Sequence, residues 1–197
     1  MQGSPELPND YNQITRKVAF KTERLIGVSL TIKDYSDFES EGEPNWHPFI
    51  NPYRHLIVGP SPIRYRIPRV KADPKFADIG LVLAILKSSN EIVGSAGFHD
   101  FPNEAGMIEV GFGIVSEMQN KGFGKELLIG MWEWISQNPE VQILRYTVDP
   151  RNKPSMHIIN SLPFHCVGAQ YDKDDAVHEL IFEATPEATG FRSKQSN

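Results

Sequence analysis

The chain is short of several things, and each shortage excludes something. Its 197 residues contain one cysteine, Cys166, which rules out an intrachain disulfide and any zinc site built from several thiolates. No apolar run approaches the roughly 20 residues that a membrane span needs. The histidines at 47, 55, 99, 157, 165 and 178 never fall into an HxH or HExxH spacing, so no metal is expected. Positive charge is not in excess. A net charge of −5 argues against a nucleic-acid binder and requires any anionic ligand to be met by local groups. The opening "MQGSPELPNDYNQ" lacks the apolar core of a signal peptide, so a cytoplasmic protein with no membrane partner is expected. What remains is a globular composition, 40% hydrophobic and 23% charged, at a length that suits one domain with a real core.

Residues 1–15 and 185–197 are polar and read as loose ends. "ERLIGVSLTI" (23–32) has the length and β-branched content of a strand. Prolines at 44, 48, 52, 60, 62, 68 and 74 make long helices unexpected between Asp34 and Lys75. "DIGLVLAIL" and "EIVGSAGFH" read as strands around the turn "KSSN", and "PNEAG" turns into a further strand, "MIEVGFGIV". A long helix follows, then "ILRYTVD", a helix over 153–161, and the strands "FHCVGA" and "VHELIFEA". That order describes a mixed α/β sheet with its long helix after the fourth strand.

The most informative stretch is "EVGFGIVSEMQNKGFGKELLIGMWEWI", residues 109–135. Leu127, Leu128, Met131, Trp132 and Ile135 recur at helical spacing, so a strand runs through a glycine turn into an amphipathic helix. The first amides of such a helix have no internal partner and point back into the turn. Gly122 and Gly124 allow a ligand close to the backbone, and Lys121 and Lys125 add charge, so an anion such as a diphosphate suits the turn. A plain tight turn is the competing reading. A P-loop is excluded because Lys125 is followed by Glu126 where a hydroxyl is required. Gly111, Gly113, Gly122 and Gly124 do not have the spacing of a dinucleotide fingerprint.

Gln119-Asn120-Lys121-Gly122-Phe123-Gly124 resembles the acetyl-CoA signature [Q/R]-x-x-G-x-[G/A] of the GNAT superfamily of N-acetyltransferases. "TERL" (22–25), "IEVGFGIV" and "VDPRNKPSMHIINSLPF" resemble, in the same order, elements of its ribosomal-protein N-terminal (alanine) acetyltransferase branch. The resemblance implies a single-domain GNAT fold over residues 20–184, a mixed and mostly antiparallel sheet flanked by helices, with a segment 1–19 before it and a polar tail 185–197 after it. It implies acetyl-CoA as co-substrate, its diphosphate on the amides of Gln119 to Gly124 and Lys125. The pantetheine arm and acyl carbonyl would meet the amides of Gly113, Ile114 and Val115, with Asn152 contacting the arm. Glu109 would be the general base, and Ser155, near the sulfur, would stabilise the leaving thiolate. The acceptor would be a primary amine, on a protein N-terminus or a small molecule. A homodimer is common in the family, and nothing in these residues establishes one.

The chain departs from that pattern in two places. Leu162-Pro163-Phe164 stands where the branch has Leu-Gly-Phe, so the second helix must stop by about Ser161, with Asn160 a candidate for positive φ. Residues 34–75, where the family carries two helices that shape the acceptor pocket, align poorly. Other roles stay open as well. Glu109 could face solvent or join a structural salt bridge, with Asp100, Glu104 and His99 as alternative bases. Asn152 is also a good helix N-cap, with Pro154 in the first turn. Tyr171 lies too far along to serve as a tyrosine acid. Cys166 is expected as a small buried hydrophobe, and "RYRIPRVK" (64–71) as a solvated loop. The alternative to an enzyme is a GNAT-like module that holds CoA without catalysis.

Overall fold

The computed structural model describes residues 16–59, 61–173 and 176–193. The segment 1–15, expected to be loose, lies outside them. The chain divides into two compact units. One comprises the residues up to Gly97 together with Phe112–Gly130, and the other Phe98–Gly111 together with the residues from Met131 onward.

In the first unit, β1 (Val18–Lys21), β2 (Leu25–Ser29), β3 (Val82–Leu86) and β4 (Glu91–Phe98, whose last residue belongs to the second unit) pair in sequence, each antiparallel to the next. Every residue of β2 is buried, and β3 is buried but for its last residue, as an apolar run covered on both faces requires. The strand expected over 23–32 ends early because Thr31 caps a helix. Its Oγ1 accepts from Asp34 N and the Asp34 carboxylate accepts from Thr31 N, which starts α1 (Ile32–Glu39). Arg16 locks that carboxylate at 2.5 Å.

The proline-rich stretch is less irregular than its composition suggests. It holds α1 and a ten-residue helix, α2 (Ile63–Ala72), with Pro68 inside it. An interior proline removes one backbone bond and costs about 3 kcal/mol. Burial of Ile63, Arg66 and Val70 on one face offsets that cost, and Asp73, extended before Pro74, ends the helix. "RYRIPRVK" is therefore a docked helix rather than a solvated loop, with Arg66 buried and its Nε donating to Gly80 O at 3.2 Å. Pro74–Phe76 and α3 (Ala77–Gly80) lead into β3.

A second tie joins the stretch to the sheet. Asn51 brackets the main chain of His55, and His55 Nε2 lies 2.9 Å from the buried Ser95 Oγ on β4. Burial lowers the His55 pKa to about 4. An imidazole that titrates lower folded than unfolded gives the unfolded chain the extra proton. Its stabilising contribution is full above pH 6.5 and is lost toward pH 4, by about 3 kcal/mol. We expect His55→Gln to remove that part of the acid slope in urea unfolding measured from pH 7.5 to 4. A slope identical to that of wild type would mean that His55 is effectively solvated.

In the second unit, β5 (Met107–Ile114, its last three residues belonging to the first unit) runs parallel to β6 (Ile143–Val148), with Glu109 opposite Arg145. β8 (Val177–Ala184) pairs antiparallel with β6 on one side and β7 (His165–Asp172) on the other. The long helix is α4 (Phe123–Ile135), which enters this unit at Met131. Trp132 is fully buried and stacks on Phe164 at 4.3 Å. α5 (Lys153–Asn160) stops as Pro163 demands, but Ser161 ends it with φ −88°, so Asn160 does not take a left-handed conformation.

Two further expectations are corrected here. β7 is exposed along nearly its whole length, so Cys166 is an exposed thiol and not a buried hydrophobe. The segment from Thr185 is not loose as far as Arg192. Thr185 caps α6 (Pro186–Thr189), and Phe191 stacks on Trp132. The Arg192 guanidinium donates to the carbonyls of Ser136, Asn138 and Val141. Five arginine donors can satisfy several carbonyls at once, which composition alone does not reveal. Among the described residues no helix is long and apolar enough to cross a membrane.

Candidate active site

The glycine turn belongs to the first unit. β5 ends at Ile114, a 3₁₀ turn covers Ser116–Met118, and α4 begins at Phe123, so Gly124 sits in the first helical turn. Asn120 (φ 59°) and Gly122 (φ 81°) both take left-handed conformations, the geometry that makes successive N–H groups converge. Glu126 N makes the first helical bond, to Gly122 O at 3.2 Å. Among the described residues nothing accepts from the main-chain N–H groups of Asn120 to Lys125. A Cβ built on Gly113 would meet only open space, and one on Gly122 only Arg24 Nη2 at 3.3 Å.

The side chains of the turn divide between support and ligand reach. Gln119 Nε2 donates to Ile114 O at 3.0 Å, closing the loop onto the end of the strand. Lys121 Nζ is turned back onto Glu117 O at 3.0 Å, so its charge is partly committed. Lys125 makes no hydrogen bond or ion pair among the described residues. Phe123 is buried, with the Arg24 guanidinium 4.3 Å from its ring centre. Val115 departs from expectation. Its N–H donates to Val93 O at 3.0 Å, so that amide is used by the sheet and is not on offer to a ligand. Burial acts to raise the Glu126 pKa, but hydrogen bonds from Thr22 and Arg24 outweigh it and hold the carboxyl below the usual range.

The second unit holds the candidate base. Glu109 is largely buried, its side chain 17% exposed, and its Oε1 accepts from Thr147 Oγ1 at 2.5 Å. His99 Nδ1 lies 3.6 Å from the same oxygen, and His99 N donates to Glu109 O. Arg145, opposite Glu109 across the parallel register, is taken by Glu183 at 2.6 Å. Glu109 is thus neither a solvent-facing carboxylate nor, among the described residues, half of an arginine or lysine salt bridge. Of the alternatives, His99 is beside it, while Asp100 and Glu104 are exposed in the turn after β4.

Asn152 caps α5, its Oδ1 accepting from Ser155 N at 3.2 Å. Ser155 is half-buried and lies beside Tyr146, close enough to affect its titration. Burial raises the Tyr146 pKa, Ser155 opposes that rise and nearby Glu179 adds to it. Nothing in the sequence motifs points to Tyr146 or Thr147. Strand alternation in "ILRYTV" does send them to opposite faces, and that was the only local signal for either.

The chain belongs to the Acetyltransferase (GNAT) domain family, whose model matches residues 24–165. The uncharacterized N-acetyltransferase p20 of Bacillus licheniformis is 29% identical over 97 residues, 49% of this chain and 54% of that protein. The chain thus spans about half the length of the curated relative it matches. Among solved structures, the ribosomal-protein-S5-alanine acetyltransferase of Vibrio fischeri has a TM-score of 0.59 at 16% identity, covering 84% of this chain and 95% of its own. RimL, a ribosomal L7/L12 alpha-N-protein acetyltransferase in complex with coenzyme A, gives 0.62 at 10% identity, with 87% and 99% covered. A spermidine N-acetyltransferase SpeG chimera from Vibrio cholerae and hSSAT gives 0.59 at 12%, with 87% and 100% covered. At these identities the structures speak for the fold, a mixed and mostly antiparallel sheet flanked by helices.

Proposed function

We propose that the protein transfers an acetyl group from acetyl-CoA to a primary amine, on a protein N-terminus or a small molecule, by direct attack of the amine on the thioester. The observation that carries this reading is the turn at Asn120–Lys125, a row of unbonded N–H groups at the start of a long helix, bent by Asn120 and Gly122 and backed by Lys125. Such a turn suits a diphosphate, because each orphan donor gains a charge-assisted bond and the helix start carries partial positive charge. The open space at Gly113 supports close approach of the pantetheine arm to the end of β5, with Ile114 as a further donor in that reading. Asn152 is assigned a contact with the same arm in addition to its cap.

Glu109 is assigned the amine proton, supported by its burial and by Thr147, which fixes the carboxylate without neutralising it. The leaving thiolate needs a proton or a donor, and Ser155, with the Tyr146 phenol beside it, is assigned that task. Both amine classes have precedents among the structural neighbours, whose names give a protein N-terminus for RimL and spermidine for SpeG. A cytoplasmic setting belongs to the same reading, supported by a single unpaired thiol. The retained Glu109, largely buried beside Thr147 and His99, favours an enzyme over a module that only holds CoA.

Amide hydrogen exchange with and without CoA tests the assignment. We expect CoA to slow exchange over 120–126, since the diphosphate would occupy several of those donors together. Protection confined to other segments would move the cofactor site elsewhere.

A further inference from the structure

We infer that Arg24 is the positioning residue that holds the glycine turn in its anion-binding form; this rests on reading the turn as the CoA site. Arg24 lies in the short connection between β1 and β2, remote in sequence from the turn. Its guanidinium reaches both ends of the turn. Nε and Nη2 grip the two-oxygen end of Glu126, at 2.7 and 2.6 Å from Oε2, while Nη1 donates to Lys121 O at 2.9 Å. The main-chain N–H of Arg24 and Thr22 Oγ1 share Glu126 Oε1, at 2.7 and 2.6 Å. The face of the guanidinium rests on Phe123.

The bond to Lys121 O has a directional consequence. A trans peptide aims its C=O and N–H in opposite directions, and the Lys121–Gly122 peptide is trans. With the carbonyl drawn toward Arg24, the Gly122 N–H must point the other way, out of the turn, where the diphosphate is proposed. Gly122 can hold this orientation because its φ of 81° suits glycine, and Arg24 Nη2 stands 3.3 Å from where a Cβ would be, a tight contact for any larger residue. The second consequence is electrostatic. Glu126 brings a carboxylate into the first turn of α4, next to the site of a dianionic ligand, and Arg24 compensates that charge. A planar fork performs both tasks at once, which a flexible ammonium does not.

The test compares CoA, by calorimetry, with pantetheine, which has the same arm without the diphosphate, by ligand-observed NMR. Urea midpoints serve as the control for folding. Arg24→Ala is expected to weaken CoA binding about tenfold or more, the size of one lost charge-assisted bond, and to leave pantetheine binding unchanged. Arg24→Lys keeps the charge but not the fork and is expected to weaken CoA nearly as much. Unchanged CoA affinity in Arg24→Ala overturns the inference. So do equal losses for CoA and pantetheine, which indicate general loosening, and wild-type affinity in Arg24→Lys, which indicates a bare charge. Wild-type protein that binds no CoA removes the functional reading and this inference together.

Discussion

Glu109→Gln is expected to lower kcat at neutral pH by about 100- to 10,000-fold, the range of a general base, while leaving acetyl-CoA affinity nearly unchanged. The substitution keeps the shape of the side chain and can still meet the Thr147 hydroxyl that now sits 2.5 Å from Oε1. What it removes is a place for the amine proton. The size of the defect reports on the acceptor. A lysine-like amine near pKa 10.4 is neutral in only about 0.04% of molecules at pH 7, and neutralising it costs roughly 4.6 kcal/mol. An N-terminal amine near 7.8 costs only about 1 kcal/mol. A large defect therefore points to a basic amine such as a polyamine, and a modest one to an α-amine or a water-relayed proton. In either case the defect should shrink as pH rises and the amine loses its proton unaided. Full activity of Glu109→Gln across the pH range would shift the role to His99, which lies 3.6 Å from the same carboxylate.

Gly122→Val is expected to weaken CoA binding by about 100-fold or more, equivalent to about 2.7 kcal/mol, while the variant still folds. A β-branched residue at φ 81° pays about 1–2 kcal/mol for the left-handed conformation alone. Relieving that strain means rotating the Lys121–Gly122 peptide, which turns the Gly122 N–H away from the ligand. The new Cβ would also press on Arg24 Nη2 at 3.3 Å. Gly124→Val is the informative companion. Gly124 lies within α4 at ordinary helical φ, so its substitution tests steric access without backbone strain. Calorimetry with CoA on both folded variants decides the matter. Undiminished affinity in both would leave the glycines as parts of a tight turn and nothing more.

The parts of the molecule that were legible in sequence carry their instructions locally. The turn and α4 announce themselves through glycine spacing and apolar periodicity, and Asn152 with Pro154 announces the start of α5. The failures have a common cause, which is that the deciding interaction comes from elsewhere in the chain. Helix α2 exists because burial of Ile63, Arg66 and Val70 overrides Pro68, and α1 because Arg16 and Thr31 hold Asp34. The Val115 amide is occupied because Val93 O of β4 accepts from it, and that partner is not written in the sequence around Val115. Thr147 acquires its partner, Glu109, from a segment that the sequence does not connect to it. Thr31 and Asp34 are the exception: their spacing is a readable capping signal, obscured by the prolines that follow.

Pro68 has a further effect, on the order in which the protein gains its structure. A ten-residue helix interrupted by proline has almost no tendency to form in an isolated chain, where even proline-free helices of that length are marginal. α2 therefore acquires its helical form only when Val70 and Ile63 dock onto a sheet that is already there. In a mutational study of the folding transition state, substitutions along its exposed face should change the unfolding rate and leave the folding rate almost untouched. The same dependence makes α2 a segment that opens locally at lower free energy than the buried β2 and β3.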